Sequence, residues 1–545
     1  MQRTLLCLAL ALVFGGAARA STDGFESMLG ELAGKSFRRK SEAIQAIADS
    51  GHPAAPRILR ALLESRAFFA PESERLLLDV ADSGEGVVVD AITGEATRVA
   101  FESGRRKIVL NNAMRRLLRS LVARAGLASR DPRERRQAIK ELMGRDDPEI
   151  QALLREALEI EQARDVRSLL ETAIAIGALR EDDADAGSDA EARLRAIEAL
   201  SGSLHNESRI ALDGLLTRLE SRQSKSSEEE AQIGAIREAI DAIDRRKVGF
   251  EILETLFFGV SLGFVLVLAA IGLAITFGVM GVINMAHGEM IMLGAYSTWS
   301  VQQLMPHHLE SSVLVAIPVA FLVSALVGVA IERGVVRFLY GRPLETLLAT
   351  FGISLFLQQS VRTIFSPLNR AVASPSWMSG QWVLNDAFAL NYNRLWIIVF
   401  SALVFAALIG VLHRTRLGLQ IRAVAQNRAM ARAMGVRGAR IDAITFGLGS
   451  GIAGLAGVAL SQLTNVGPNL GQAHIVDSFM VVVFGGVGNL WGTLVAGLTL
   501  GVTNKLLEPF AGAVLAKILV LVFIILFIQR RPRGLFPQQG RSAEA

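Results

Sequence analysis

The amino-acid sequence predicts an all-α protein in two parts, a soluble half of helical repeats followed by a polytopic membrane half of many helices. Three observations carry that expectation. Almost everything before Lys247 is charged and polar at helical spacing, whereas long apolar runs fill most of the chain after it. Leu256 to Phe277 is apolar and uncharged for long enough to cross a bilayer at about 1.5 Å of rise per residue. An apolar pattern in the first half also recurs with unchanged internal spacing. At 545 residues the chain exceeds one ordinary domain. Its net charge of +5 does not indicate nucleic acid, because the arginines concentrate in loops flanking apolar runs. Orientation in a lipid bilayer accounts for them there.

Residues 1–20 read as a secretory signal peptide: Arg3, an apolar stretch from Leu5 to Phe14, then Ala18-Arg19-Ala20 before Ser21. A retained anchor is the alternative, and both send residues 21–247 across the membrane. Cys7, the single cysteine, lies inside this segment, so the mature chain is expected to have no disulfide or thiol chemistry.

Residues 21–220 are expected to form an extracytoplasmic domain. Ser41 to Ile47 and Arg136 to Leu142 share an apolar pattern, Pro53 corresponds to Pro148, and Leu59 and Leu63 to Leu154 and Leu158. A weaker copy runs from Ala196 to Leu216. Each unit is a helix pair that must stack on its neighbours to bury its apolar face, a pattern that resembles HEAT-type repeats. Gly86 to Asp90 and Glu95 to Val99 flank Ile92-Thr93-Gly94 as a short β-hairpin. A linker is expected over 221–250, with a short amphipathic helix after the polar run 221–230.

The membrane domain is expected over 251–530 and a cytoplasmic tail over 531–545. Further spans are Ser312–Ile331, Leu347–Val361, Leu395–Leu412, Ala443–Leu463 and Gly512–Ile528. The loop from His413 to Asp442 holds seven arginines and one acidic residue. By the positive-inside rule it is cytoplasmic, as are the loop of Arg333, Arg337 and Arg342 and the C-terminal tail. The count of crossings then closes only if Val476–Asn504 breaks at its central glycines into two short crossings or a re-entrant hairpin.

Polar groups within apolar runs mark the candidate site. Asn284, His287 and Glu289 follow the first span, and Phe277-Gly278 with Val282-Ile283-Asn284 is echoed by Phe484-Gly485 with Val487-Gly488-Asn489. Paired glycine-interrupted segments point to a transport route. Asn284 and Asn489 are amides that suit a small neutral cargo. His287 and Glu289 could line a mouth of that route or pair and cap a helix. Asp477 could cap its segment or form part of the way in, and Lys517 could reach Glu508 or the interface. No metal cluster, nucleophile–base pair or phosphate loop of the form G-x-x-x-x-G-K-[ST] occurs, so neither an enzyme nor a resident cofactor is expected.

Four stretches in order carry a family resemblance: G-V-I-N-M-A-H-G-E (281–289), T-R-L-G (415–418) leading to R-A-V-A-Q-N-R-A-M-A-R-A-M-G-V (422–436), F-G-G-V-G-N (484–489) and R-P-R-G-L-F (531–536). From about Phe258 to Phe536 the chain resembles permeases of the branched-chain amino-acid and urea class of ABC importers. I-N-M-A-H-G-E-M, N-R-A-M-A (427–431), V-D-S-F-M-V-V-V (476–483) and L-E-P-F-A-G-A-V-L-A-K (507–517) resemble the urea branch more than the amino-acid branch, as does the soluble extension. The resemblance implies a multi-pass protein of a bacterial inner membrane with a periplasmic N-terminal domain and a cytoplasmic C-terminus. It also implies a second permease subunit, two cytoplasmic ATP-binding subunits that use ATP, and an extracytoplasmic solute-binding protein. Urea is the expected cargo, branched-chain amino acids or a short amide the alternative, and a passive urea channel a further one. By the same resemblance, Arg422, Ala425, Asn427, Arg428, Ala429, Ala433 and Gly435 belong to a coupling helix seated on the ATPase. Ala425, Ala429 and Ala433 recur four apart as a smooth face, ending at Gly435 as a C-cap.

Overall fold

Apolar residues three and four apart fold the first part of the chain into helix pairs in the computed structural model. The model describes residues 24–536 other than 35, 51, 53, 71–74, 80–86, 94–95, 99–105, 128, 130, 144–147, 181–189, 223–225 and 386. The signal segment 1–20 with Cys7, Pro53, and residues 537–545 of the tail lie outside the described residues. The chain divides into two units, Met1–Arg246 and Lys247–Ala545.

The first unit contains α1 (24–31), α2 (Phe37–Asp49), α3 (Ala55–Leu63), α4 (Asn112–Leu127), α5 (Pro132–Leu142), α6 (Pro148–Ile160), α7 (Arg164–Ala178), α8 (Ala190–Ser201) and α9 (Asn206–Glu220). The three copies of the apolar pattern fall on α2–α3, α5–α6 and α8–α9. Proline at the first position starts α5, where the missing N–H costs nothing, and Asp131 accepts from the Arg133 N–H as its N-cap. Ile139, Leu142, Ile150 and Leu154 face inward there, each at most 1% exposed.

Between α3 and α4 the chain forms strands, which enlarges the single short hairpin expected there into a sheet within a mostly helical fold. Strands β1 (Ala67–Ala70), β2 (Arg75–Asp79), β3 (Val87–Asp90), β4 (Ala96–Arg98) and β5 (Arg106–Lys107) form an antiparallel sheet in the order β4-β3-β2-β1-β5. β3 and β4 pair Val88 with Thr97 as the expected hairpin, whose Gly86, Gly94, Glu95 and Val99 lie outside the described residues. β1, β2 and β5 run for five residues or fewer, too short for alternation to separate a strand from a helix turn.

Two apolar cores result. One gathers Phe25, Leu32, Ile44, Leu59, Leu78 and Leu118, the other Ile139, Leu154, Leu170, Ile197 and Leu212. The second core also takes Ile233, Ile236, Ala239 and Ile243 from α10 (Ser227–Met280). Residues 227–250, read from the sequence as linker and short helix, thus lie inside one long helix.

The second unit continues with α11 (His287–Leu304), α12 (Leu309–Gly334), α13 (Pro343–Phe365), α14 (Tyr392–Arg414), α15 (Arg416–Gln426), α16 (Arg428–Ala433), α17 (Gly438–Ser461), α18 (Leu470–Gly485) and α19 (Leu490–Arg530). Among the described residues five of its helices, α10, α12, α14, α17 and α19, are long and apolar enough to cross a membrane. A short hairpin of β6 (Gln381–Asn385) and β7 (Phe388–Asn391) precedes α14. The chain breaks at 486–489 between α18 and α19. α19 is itself interrupted at Gly512 (φ 75°, ψ 161°), three residues after Pro509.

α17 is buried along nearly its whole length and packs on α11 and α12. Gly294 of α11 lies against the Gly454 backbone of α17, an approach that no side chain would permit. Ser324 of α12 donates to the Met290 carbonyl of α11 at 3.1 Å and closes this three-helix core.

Candidate functional site

α11 begins part-way through the bundle rather than at its end. The His287 Nε2 bonds to the Ala269 carbonyl of α10 at 2.8 Å, eleven residues before α10 ends at Met280. At about 1.5 Å per residue, α11 therefore starts roughly 16 Å in from that end. Since a carbonyl only accepts, Nε2 carries the ring proton. Residues 281–286 climb this distance without helix. The Asn284 Oδ1 accepts from the Ala286 N–H at 3.0 Å, and the Met285 N–H donates to the Thr350 hydroxyl of α13 at 3.1 Å. Glu289, in the first turn of α11, accepts from the Ser354 hydroxyl at 2.9 Å and the Gln358 amide at 2.8 Å, both on α13. A carboxylate at this position also faces the positive end of the helix dipole.

Asn284, His287 and Glu289 are each at most 1% exposed. The structure therefore sets all three in closed packing, where His287 holds α11 to α10 and Glu289 holds it to α13. Asn284 Nδ2, His287 Nδ1 and Glu289 Oε2 have no hydrogen-bond partner among the described residues. Ser354 and Gln358 had no signal of their own in the sequence, because they meet Glu289 from 65 and 69 residues away. Removing the carboxyl strands two buried polar groups. Glu289→Ala is expected to destabilise the protein by about 2–4 kcal/mol and Glu289→Gln by less than about 1, as read by thermal unfolding in detergent.

Asp477 of α18 is also buried, and its carboxylate meets the Lys517 ammonium of α19 at 2.7 Å. His474 stands 3.9 Å from the same oxygen. Glu508, one of the two sequence expectations for Lys517, pairs with Lys505 instead. Lys517 lies beyond the break at Gly512, so the ion pair ties the last helical segment to α18.

Asn489 has a different setting. Its side chain caps α19 by accepting from the Gly492 N–H at 3.0 Å, and its residue lines a cleft of about 850 Å³. Ala274 and Ile275 of α10 and Ile409 and Leu412 of α14 make the apolar wall. Arg422 and Gln426 of α15 and His413 form much of the polar rim, with Ala425 beside them. Of the five route residues read from the sequence, Asn489 is the one brought beside α15.

The C-terminal motif closes the same cleft. Leu535 and Phe536 donate backbone N–H groups to the Phe484 and Gly485 carbonyls at 2.9 and 3.2 Å, and both line the cleft beside Asn489. Gly486 (φ 102°) and Gly534 (φ 75°) meet backbone to backbone, in a conformation that side chains rarely adopt. R-P-R-G-L-F and F-G-G-V-G-N are thus two halves of one backbone joint.

The segment read from the resemblance as a coupling helix is two helices, α15 and α16, which corrects the single smooth face expected from the alanine spacing. Thr415 caps α15 by accepting from the Gly418 N–H at 3.2 Å. Asn427 (φ −154°, ψ 99°) ends α15 and caps α16, its Oδ1 accepting from the Met430 N–H at 3.0 Å. An amide caps as well as a carboxylate, so no acidic group is needed there. Ala425 therefore sits on α15 and Ala429 and Ala433 on α16, all exposed. Gly435 (φ 87°) follows α16, and the Val436 N–H closes the turn onto the Ala431 carbonyl at 3.0 Å, a Schellman arrangement. Arg428 turns away from solvent and pairs with Asp442 of α17.

Comparison with known proteins places this unit. The family model described as "branched-chain amino acid transport system / permease component" matches residues 255–528. The high-affinity branched-chain amino acid transport system permease protein LivH of Salmonella typhimurium is 32% identical over 295 residues, covering 52% of this chain and 94% of that protein. BraD of Pseudomonas aeruginosa, which bears the same description, is 30% identical over 296 residues, 52% and 96% of the two chains. The ribose import permease protein RbsC of Escherichia coli is 28% identical over 227 residues, 40% and 68% of the two. No solved structure matches. These relatives are transport permeases rather than enzymes. With half its residues matched by the family model, and with five apolar helices long enough to span a bilayer, the chain is a multi-pass membrane protein of the branched-chain amino acid transport permease family.

Proposed function

We propose that this protein is the permease subunit of an ABC importer that carries urea inward across the inner membrane. Two partner ATP-binding subunits supply the energy, a second permease subunit completes the route, and an extracytoplasmic solute-binding protein delivers the cargo. The chain itself holds no cofactor. The observation that carries this reading is the α15–α16 segment. It is rich in arginine, exposes the small residues Ala425, Ala429 and Ala433, and forms part of a cleft that also takes Asn489 and the C-terminal motif. Such a segment suits a groove on a cytosolic motor and has no purpose in a passive channel.

In this reading the segment and the C-terminus face the cytosol, and residues 1–20 act as a signal peptide. Residues 21–220 are a periplasmic domain of HEAT-like repeats that positions the solute-binding protein. Asn489 meets the cargo at the inner mouth. Asn284, His287, Glu289 and Asp477 shape the route from behind its wall. Arg422, Asn427, Ala429 and Gly435 set the surface that the ATPase grips.

Urea as cargo is supported by the resemblance of residues 283–290, 427–431, 476–483 and 507–517 to the urea branch. A second reading, branched-chain amino acids, is favoured by the printed descriptions of LivH and BraD. Vesicles holding the whole complex, loaded with ATP and given labelled cargo with the binding protein outside, separate the two. Uptake of urea that needs both ATP and the binding protein, and that excess leucine leaves unchanged, supports urea. Saturable leucine uptake in its place moves the assignment to amino acids, and urea flux without ATP favours the channel.

A further inference from the structure

Arg428 opens α16 in the middle of the coupling segment, yet its side chain is built into the permease. Its two terminal nitrogens donate to the two oxygens of Asp442 at 2.8 and 2.9 Å, a bidentate pair. The guanidinium carbon also lies 4.1 Å from the centroid of the Tyr340 ring, well within cation–π range. The Arg428 side chain is 20% exposed and that of Asp442 7%. One planar cation thus joins three elements: α16, the fifth residue of α17, and the connection between α12 and α13 that carries Tyr340.

The surroundings make this cation hard to replace. Glu332, near the end of α12, is 2% exposed, and its Oε2 makes no hydrogen bond, with Arg333 3.6 Å away. Little else holds α16 in place: it has six residues, and Ala431 is its buried one. The helix that Arg428 grips is the most buried span of the unit and packs on α11 and α12.

We infer that the Arg428–Asp442 pair, roofed by Tyr340, is the joint that passes movement of the coupling segment to α17. Arg428 is on this account a positioning residue inside the permease, not a contact with the ATPase. The inference rests on the importer reading above and adds to it the element that receives the push. A tug on α16 without the joint would unseat a short, exposed helix; with it, the same tug moves α17 and the helices packed on it.

The test uses the reconstituted full complex, with cargo uptake and ATP hydrolysis measured on the same vesicles. Urea and leucine are the probes, and the variants are scored on whichever the native complex moves. Arg428→Lys keeps the charge but loses the bidentate fork and the flat face. Asp442→Asn keeps the shape and loses the charge. Each is expected to lower cargo moved per ATP about tenfold while the ATPases still co-purify with the permease. The exchanged variant Arg428→Asp/Asp442→Arg is expected to restore part of that ratio. An unchanged ratio in both single variants overturns the joint. So does a loss of ATPase association in step with uptake that the exchange fails to restore, because that marks Arg428 as a surface contact. A native complex whose uptake ignores ATP sinks the importer reading and the joint together, and shows it before any variant is compared.

Discussion

Gly294→Leu is expected to leave no folded permease. Gly294 of α11 lies directly on the Gly454 backbone of α17, so that a β-carbon at Gly294 would overlap α17, while one at Gly454 would overlap Ala320 and Ser324 of α12. Gly457 is pressed in the same way onto the Ile291 carbonyl. α17 has no free side to retreat to, because nearly all its residues are buried. Between membrane helices, close packing takes the place of hydrophobic burial as the driving force, so separating two backbones removes their main attraction. Overpacking a core costs about 1–3 kcal/mol where neighbours can shift, and more where they cannot. Gly352 of α13 is the control: a β-carbon there meets nothing, and alanine in a helix interior gains up to about 1 kcal/mol over glycine. Size-exclusion profiles and thermal unfolding in detergent should show aggregation for Gly294→Leu and a native peak for Gly352→Ala. A monodisperse, stable Gly294→Leu protein would show that this contact is not part of the fold.

The second large effect is expected at Lys517. Lys517→Met takes the cation from the buried Asp477 carboxylate, and because the Lys517 side chain is itself 44% exposed the loss is expected at about 1–3 kcal/mol. The double variant Lys517→Met/Asp477→Leu removes both charges and should lie within about 1 kcal/mol of the native protein or above it. Unfolding midpoints of the two singles and the double, measured in one detergent, give the coupling between the residues. Additive effects would mean the pair contributes no specific bond. The double variant also separates structure from transport: stable protein with native uptake makes the pair a tie between the last helical segment and α18. Stable protein with lost uptake makes Asp477 part of the route.

Much of this arrangement was legible in the sequence wherever the signal is local. Helical periodicity placed the pairs α2–α3 and α5–α6, and the glycines at 485–488 marked the break between α18 and α19. The strands were partly missed, because β1 and β2 have the apolar content of a buried helix turn. The coupling segment was misjudged for a different reason. Alanine spacing suggested one helix, while Asn427, a strong capping residue followed by three available N–H groups, already carried the signal for a new start. Tertiary partners were out of reach. Lys517 finds Asp477 rather than Glu508, Glu289 finds α13, and Arg428 finds Asp442, and each choice depends on helix packing that no local pattern encodes. The four motifs in the membrane half proved informative for a reason visible only in three dimensions. Two of them close on each other backbone to backbone, and a third shares their cleft.

Everything functional in this account depends on the α15–α16 segment facing the cytosol and docking on the motor. Ala429 is exposed at its centre, and a cysteine placed there in a Cys7→Ser background reports its side directly. A bulky, membrane-impermeant maleimide should label Ala429→Cys in everted membrane vesicles and not in right-side-out ones, and bound ATPase subunits should protect it. Labelling in right-side-out vesicles, or labelling that the ATPases leave unchanged, would contradict the account.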